Sequence, residues 1–272
     1  MGWPDKTPEL ARFYPTSVLV TAFDIIFFWV ARMMMMGIHF MDEVPFHDVF
    51  IHNRVLDEHG QKMSKTKGNV VDPLDLIGGY GADALRFALA LAAGQGRDLR
   101  LSTQRVETAR NFGTKLWNAA RFCEMNECVR KRAFDPASVT MTLNKWIVAE
   151  AAATSAAVTD ALEHYRFNDA ASAVYHFIWD VFCDWYLEFS KPVLNGNDDV
   201  QKAETRDAVA WAFDRILQML HPFMPFITEE LWARLAEGAN PRTSLLMESQ
   251  WPELGALPKH VERSEEHTSE LQ

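Results

Sequence analysis

Residues 17–41 read SVLVTAFDIIFFWVARMMMMGIHFM, and this run decides between a membrane protein and a sheet-forming one. A spanning helix needs about 20 consecutive apolar residues. Asp24 and Arg32 interrupt the run, so neither side of Asp24 supplies that length. No basic start precedes it and no small-residue cleavage site follows it, which excludes a signal peptide. SVLVTA, residues 17–22, is short and rich in β-branched residues, as the core strand of a parallel sheet would be. Asp24 follows directly and can cap a helix over FDIIFFWVARMMMMG, which Gly37 can end. The expectation is a buried strand followed by a buried helix.

Further along, VFIHNRVL (49–56) is a second strand candidate, DEHGQ supplies a turn, and a lysine-rich loop follows. Asp72-Pro73 starts a helix near LDLIGGYG, and Asp83 starts another over ADALRFALALAA. Strand, helix, strand and then helices is the tail of an α/β domain. After about residue 100 the strand signal vanishes. Val106, Ala109, Gly113, Leu116, Ala120 and Cys123 recur at spacings of three and four, one face of a helix. Similar patterns fill 142–164, 168–190, 202–221 and 226–237, with Asn168 as an N-cap and Pro192 ending its pattern. Trp179, Trp185 and Trp232 fall at helical spacing and are expected in the core.

The fold class is therefore α/β followed by all-α: a partial, Rossmann-like parallel sheet in residues 1–100, then a bundle of about five helices in 101–255. Residues 256–272 end in VERSEEHTSELQ, which is polar, acidic and aperiodic. They are expected to be disordered, and they resemble translated adaptor sequence more than native protein.

The 272 residues allow one large or two ordinary domains, and 48% apolar residues can fill their cores. A net charge of -10 excludes a globally basic nucleic-acid binder but not a local basic patch. The three cysteines form no disulfide framework, so reduced thiols in a cytoplasmic protein are expected. The nine histidines include no His-x-x-x-His pair, so no metal site is indicated.

GQKMSKTKGN, residues 60–69, places Lys62, Lys65 and Lys67 within six positions. By charge alone it fits a solvated surface turn. Its position between a strand and a helix also fits a loop that closes on a polyphosphate, because ligands enter parallel sheets at their loop ends. Two ammonium groups could then meet charge developing on a leaving phosphate, while Gly60 and Gly68 let the backbone approach. The spacing is not that of a Walker loop, which argues against a general ATPase.

KMSKT, residues 62–66, resembles the Lys-Met-Ser-Lys-Ser signature of the class I aminoacyl-tRNA synthetases, and the longer GQKMSKTKGNVVDPLDLI with YGADALRFAL resembles it more specifically. The resemblance implies that Lys62 and Lys65 stabilise charge as an amino-acid carboxylate attacks the α-phosphate of ATP. It implies an ATP site at Lys62, Met63, Ser64, Lys65 and Thr66, with Mg2+ accompanying ATP. Thr66 stands where the family has its final serine. RFYPTSVLVTAFDIIFFWVARMMMMG (12–37) is similar to the valine-activating branch, which implies Asp24 on the substrate ammonium and Ile25 and Trp29 on its side-chain pocket. Read without the resemblance, Asp24 is equally a helix cap and the other two ordinary core. Ala22 departs from the family's usual glycine, and its methyl could crowd the pocket.

RNFGTKLWNAARF resembles the helix that joins the catalytic and anticodon-binding domains, and FCDWYLEFSKP (182–192) and HPFMPFITEELW (221–232) resemble the helical anticodon-binding domain shared by the valine, isoleucine, leucine and methionine enzymes. That implies valine-specific tRNA as partner, with Arg110 and Arg121 on one basic face and Lys115 about 140° around the helix. The family's His-x-Gly-His signature, editing domain and coiled coil are not found, and Met1-Gly2-Trp3-Pro4 stands where the family has an internal Leu-Gly-Trp-Pro. The expectation is a fragment, inactive alone, of a monomeric parent without membrane attachment. A stand-alone tRNA-binding helical module and an isoleucine-type synthetase fragment are the alternatives.

Overall fold

The computed structural model describes residues 2–94, 96, 98–129, 134–235, 242, 244–255 and 257, except the side chain of Lys65. The expected disorder of the final tail falls on residues that lie outside these. The chain forms two compact units, Met1–Val70 with Ala93–Leu101, and Val71–Ala92 with Ser102–Gln272.

In the first unit, Thr7 caps α1 (Pro8–Phe13) by accepting the Leu10 N–H. Strand β1 (Thr16–Ala22) pairs in parallel with β2 (Phe46–His52), in register from Thr16 opposite Phe46 to Ala22 opposite His52. Parallel strands need a crossover. It consists of a 3-10 turn at Phe23–Ile25, a π-wound turn at Ile26–Val30 and helix α2 (Ala31–Met41). The predicted second strand is broken at Asn53-Arg54, after which β3 (Val55–Leu56) pairs in parallel with β4 (Leu99–Arg100), a two-residue strand too short to leave a sequence signal.

Three expectations are corrected here. Asp24 makes no capping bond; it lies inside the 3-10 turn. Gly37 lies within α2, which ends at Asp42 in a left-handed conformation (φ 54°). A Cβ on Gly37 would come within 2.7 Å of the Tyr14 hydroxyl and 2.9 Å of Pro45, so this glycine serves close packing. The strand and helix are also not buried throughout: Val20 on β1 is 57% exposed, Phe27 89% and Met35 70%. Two strands and one crossover helix can cover only one side of each other. Phe23–Met41 is helical over 19 residues and apolar enough by length and composition to cross a membrane.

The second unit is helical. Asp72 caps α3 (Pro73–Tyr80) by accepting the Leu74 N–H at 2.8 Å. Next come α4 (Ala82–Ala92), α5 (Thr103–Met125), α6 (Thr142–Glu163) and α7 (Phe167–His176). A π-wound stretch (Phe177–Tyr186) joins α7 to α8 (Leu187–Leu194), and α9 (Asp199–Leu220) and α10 (Pro225–Arg234) complete the set. The core runs through Val106, Leu116, Ile147, Phe182, Phe213 and Leu217, all buried. An aromatic ladder crosses it: Phe87 on α4 stacks on Phe112 at 4.9 Å, and Tyr175 follows at 5.1 Å and Trp179 at 5.7 Å.

The caps again differ from expectation. Asp83 lies in the first turn of α4, but its side chain serves another helix. Its carboxylate accepts the N–H groups of Phe226 (3.2 Å) and Ile227 (2.7 Å), capping α10 from 143 and 144 residues away. Asn168 lies inside α7, and the N-cap position is Arg166. Pro192 sits within the last turn of α8, where a missing donor leaves a carbonyl exposed to water at little cost. Trp232 is buried, but Trp185 is exposed beside Phe189, with ring centroids 5.5 Å apart.

Candidate functional site

The lysine loop is built on a tight turn. Leu56 and Lys62 pair antiparallel, the Asp57 N–H donates to the Gln61 carbonyl, and the Gly60 N–H returns to the Asp57 carbonyl, both at 3.0 Å. Gly60 has φ +77°, and a Cβ there would meet Arg100 at 3.1 Å. The buried Asp57 carboxylate accepts Gln61 N–H (2.7 Å) and His59 N–H (3.1 Å) on one oxygen and the Asn69 amide (2.8 Å) on the other. The Gln61 bond first and the Asn69 bond second hold its pKa below the ordinary carboxylate value. Asn69 also accepts the Ser64 N–H at 2.9 Å and donates to the Lys62 carbonyl at 3.3 Å. Between these ties, Lys67 N–H bonds the Ser64 carbonyl at 3.1 Å and closes a 3-10 turn over Lys65–Lys67.

The Lys62 side chain is exposed, and its Nζ lies 4.0 Å from Asp24 Oδ2. Met63 and Ser64 are half-buried and Thr66 is exposed, with the Ser64 hydroxyl 3.5 Å from that of Thr66. The backbone of Lys65 opens the 3-10 turn; its side chain lies outside the described residues. Asp24 lines a cavity of about 630 Å³ with Phe23, Ile51, His52, Asn53, Arg54, Gly96 and Asp98. The fold thus brings Lys62 to Asp24. It does not bring Ile25 and Trp29 into that lining; both stand partly exposed on the 3-10 and π-wound turns.

Several lining residues escaped the sequence reading. His52 ends β2 and Asn53 and Arg54 follow it, at the carboxyl end where parallel sheets take ligands, and that position was the available signal. Arg54 pairs with Asp98 at 3.0 Å, and Asn53 donates to the Gly94 carbonyl. Asp98 carries no local signal at all.

On α5, Arg110 lies 3.6 Å from Glu107 and 5.6 Å from the centre of the Tyr80 ring. It lines a cavity of about 580 Å³ with Tyr80, Asp83, Trp117 and Phe226. Lys115 is half-buried, paired with Asp184, and sits 3.8 Å over the Trp179 ring, so its charge is already compensated. Arg121 is exposed. Among the described residues no three His, Cys, Asp or Glu side chains gather as metal ligands would.

Known proteins align along nearly all of this chain. Residues 1–102 match the family of class I tRNA synthetases (I, L, M and V), and residues 144–271 match the anticodon-binding domain of tRNA ligases. The valine–tRNA ligase of Nitrobacter winogradskyi is 66% identical over 252 residues, which is 93% of this chain and 26% of that protein. That of Caulobacter vibrioides is 62% identical over 256 residues, 94% of this chain and 28% of that protein. The chain thus spans about a quarter of the length of these relatives. Two solved structures share the fold. The LeuRS–tRNA–LeuAMS ternary complex of Agrobacterium radiobacter superposes with a TM-score of 0.72 at 19% identity, over 88% of this chain and 29% of that one. Mycobacterium tuberculosis methionyl-tRNA synthetase bound to methionyl-adenylate superposes with a TM-score of 0.69 at 22% identity, over 96% and 52%. With a lysine loop and parallel strands under one family model and a helical domain under the other, the chain belongs to the class I tRNA synthetases of the I, L, M and V group.

Proposed function

We propose that this chain acts as part of a valine–tRNA ligase. A carboxylate oxygen of valine attacks the α-phosphorus of ATP, the bond to the β-phosphate bridge breaks, and pyrophosphate leaves. A tRNA hydroxyl then takes the valyl group and AMP leaves. Asp24 pairs with the valine ammonium, with Ile25 on the same 3-10 turn and Trp29 on the π-wound turn that follows, both on the side-chain pocket. Lys62 and Lys65 carry the charge that builds on the departing pyrophosphate, and Met63, Ser64 and Thr66 complete the contact with ATP, which enters as its Mg2+ complex. Arg110 and Arg121 offer a basic edge to tRNA phosphates; Lys115 joins them only by leaving Asp184. The working protein is a cytoplasmic monomer, and the exposed apolar faces of β1 and α2 pack against the part of it that lies outside this chain.

The observation that supports this reading is the approach of the Lys62 ammonium to within 4.0 Å of Asp24, which itself lines the cavity at the end of β2. The test is a chimera in which this chain replaces the matched quarter of the Nitrobacter winogradskyi enzyme. It should support ATP–pyrophosphate exchange with valine and far less with isoleucine, while the 272-residue chain alone supports none. Positioning supplies roughly 7–11 kcal/mol of such a barrier, and half a site cannot provide it. A folded chimera that exchanges no pyrophosphate, or prefers isoleucine, would end the proposal.

A further inference from the structure

Asn69 spends both amide hydrogens and one lone pair of its carbonyl oxygen on the neck of the lysine loop. Its carbonyl oxygen accepts from Ser64, and its two amide hydrogens go to the Lys62 carbonyl and to Asp57 Oδ2. Asp57 is equally committed, because it takes two backbone N–H groups of the preceding turn on its other oxygen. It is 8% exposed and holds no cationic partner among these three bonds, so it serves the turn as a hydrogen-bonded anion. Gly68, at φ +68° with open space where a Cβ would stand, delivers the chain to Asn69. The turn between Ser64 and Lys67 is closed by bonds within itself. The backbone of Lys62 is thereby tied while its side chain stays 69% exposed.

We propose that Asp57 and Asn69 form a latch across the neck of the loop and are positioning residues for Lys62. They fix the Lys62 carbonyl so that its ammonium emerges beside Asp24. Neither touches the phosphate; each acts through the loop it ties. The functional half of this rests on the synthetase reading above, and the latch itself does not.

The pair has a built-in control. Asp57→Asn puts an amide against the Asn69 amide, and Asn69→Asp puts a carboxylate against the Asp57 carboxylate. The double exchange restores one donor facing one acceptor between the two positions and keeps the bonds from Gln61, His59 and Ser64, but the carboxylate at position 69 has no hydrogen for the Lys62 carbonyl. The experiment uses the full 272-residue chain with two measurements. One is the rate of tryptic cleavage after Lys62, Lys65 and Lys67. The other is the affinity for inorganic pyrophosphate by titration calorimetry. Each single variant, and Asn69→Ala, should be cut about tenfold faster and bind about tenfold more weakly. The double exchange should recover about threefold of the tenfold loss seen in Asn69→Asp alone, but not all of it, because the Lys62 carbonyl stays without its donor. A helical core of unchanged Tm separates a loosened loop from an unfolded chain. Single variants cut and titrated like the parent, or a double exchange that merely adds the two losses, would overturn the latch. A parent chain that binds no pyrophosphate would instead overturn the phosphate-holding role of the isolated loop, while the chimera tests the synthetase reading, and the cleavage rates would then decide the latch alone.

Discussion

The Lys62 ammonium lies 4.0 Å from Asp24 Oδ2, a pairing between side chains that are 69% and 49% exposed. Exposed ion pairs are screened and contribute roughly 0–1 kcal/mol. The pair is therefore easily given up, and each partner can turn to a better one: Lys62 to a phosphate, Asp24 to an ammonium. Lys62→Ala should lower Tm by no more than about 4 °C while weakening pyrophosphate binding about tenfold. Thermal melting and calorimetry on the same samples check this. A large fall in Tm with unchanged binding would make the contact structural.

Asp24 makes a sharper prediction about substrate. A hydrogen bond to a charged group is worth about 1.5–3 kcal/mol. Asp24→Asn in the chimera should raise the valine KM by roughly 10–100-fold and leave the ATP KM nearly unchanged. Steady-state exchange at varied valine and varied ATP separates the two. Equal changes in both would place Asp24 outside the amino-acid site.

The helical unit was legible in the sequence because its signal is periodic and local. Val106, Leu116 and Cys123 fall on the face the spacing assigns them, and each is buried. Bonds made over long separations were not legible. Asp83 reads as a cap for the helix it begins, yet it caps α10 across 143 residues. Gly37 reads as a stop signal, but its reason is the approach of Tyr14 and Pro45. Asp98 joins the cavity through β4, which is two residues long. Residues 62–66 identified the loop, while the Asp57–Asn69 tie that shapes it depends on a turn geometry no pattern of charges encodes. Burial of β1 and α2 was misjudged because apolar character predicts a face that wants covering, not whether the same chain covers it.

The three thiols should be inert in the folded chain. Cys123, Cys128 and Cys183 are all buried, and burial is the first cause that raises each pKa. Cys128 is pushed up to about 12 against the pull of Arg206, and Cys183 to about 12 against that of Lys115. At pH 8 roughly one in ten thousand of the latter two is thiolate, the reactive form. Ellman's reagent should therefore label none of the three over minutes in buffer and all three in guanidinium. Fast labelling of any one under native conditions would contradict the packing around α5.

Glu204 should make the helical unit sensitive to acid. It caps the start of α6 from α9, accepting Thr140 N–H at 3.0 Å, the Thr140 hydroxyl at 2.6 Å and Met141 N–H at 2.9 Å, and it takes the Asn144 amide at 2.9 Å. Asn144 in turn accepts the buried Tyr186 hydroxyl at 3.0 Å, so the carboxylate anchors a network reaching the core. Burial raises the Glu204 pKa, but the bonds from Thr140, Asn144 and Met141 outweigh it and the net shift is downward from 4.5. A carboxyl whose folded pKa lies below its unfolded one stabilises the fold above the unfolded value. That contribution is lost as pH falls through the folded value. Glu204→Gln, which cannot accept all four bonds, should cost about 1.5–3 kcal/mol at pH 7. The gap in Tm between parent and variant should then shrink from pH 7 towards pH 3, as protonation removes the same acceptor from the parent. A gap that stays constant across that range would show that packing, not the charge on Glu204, holds α6 to α9.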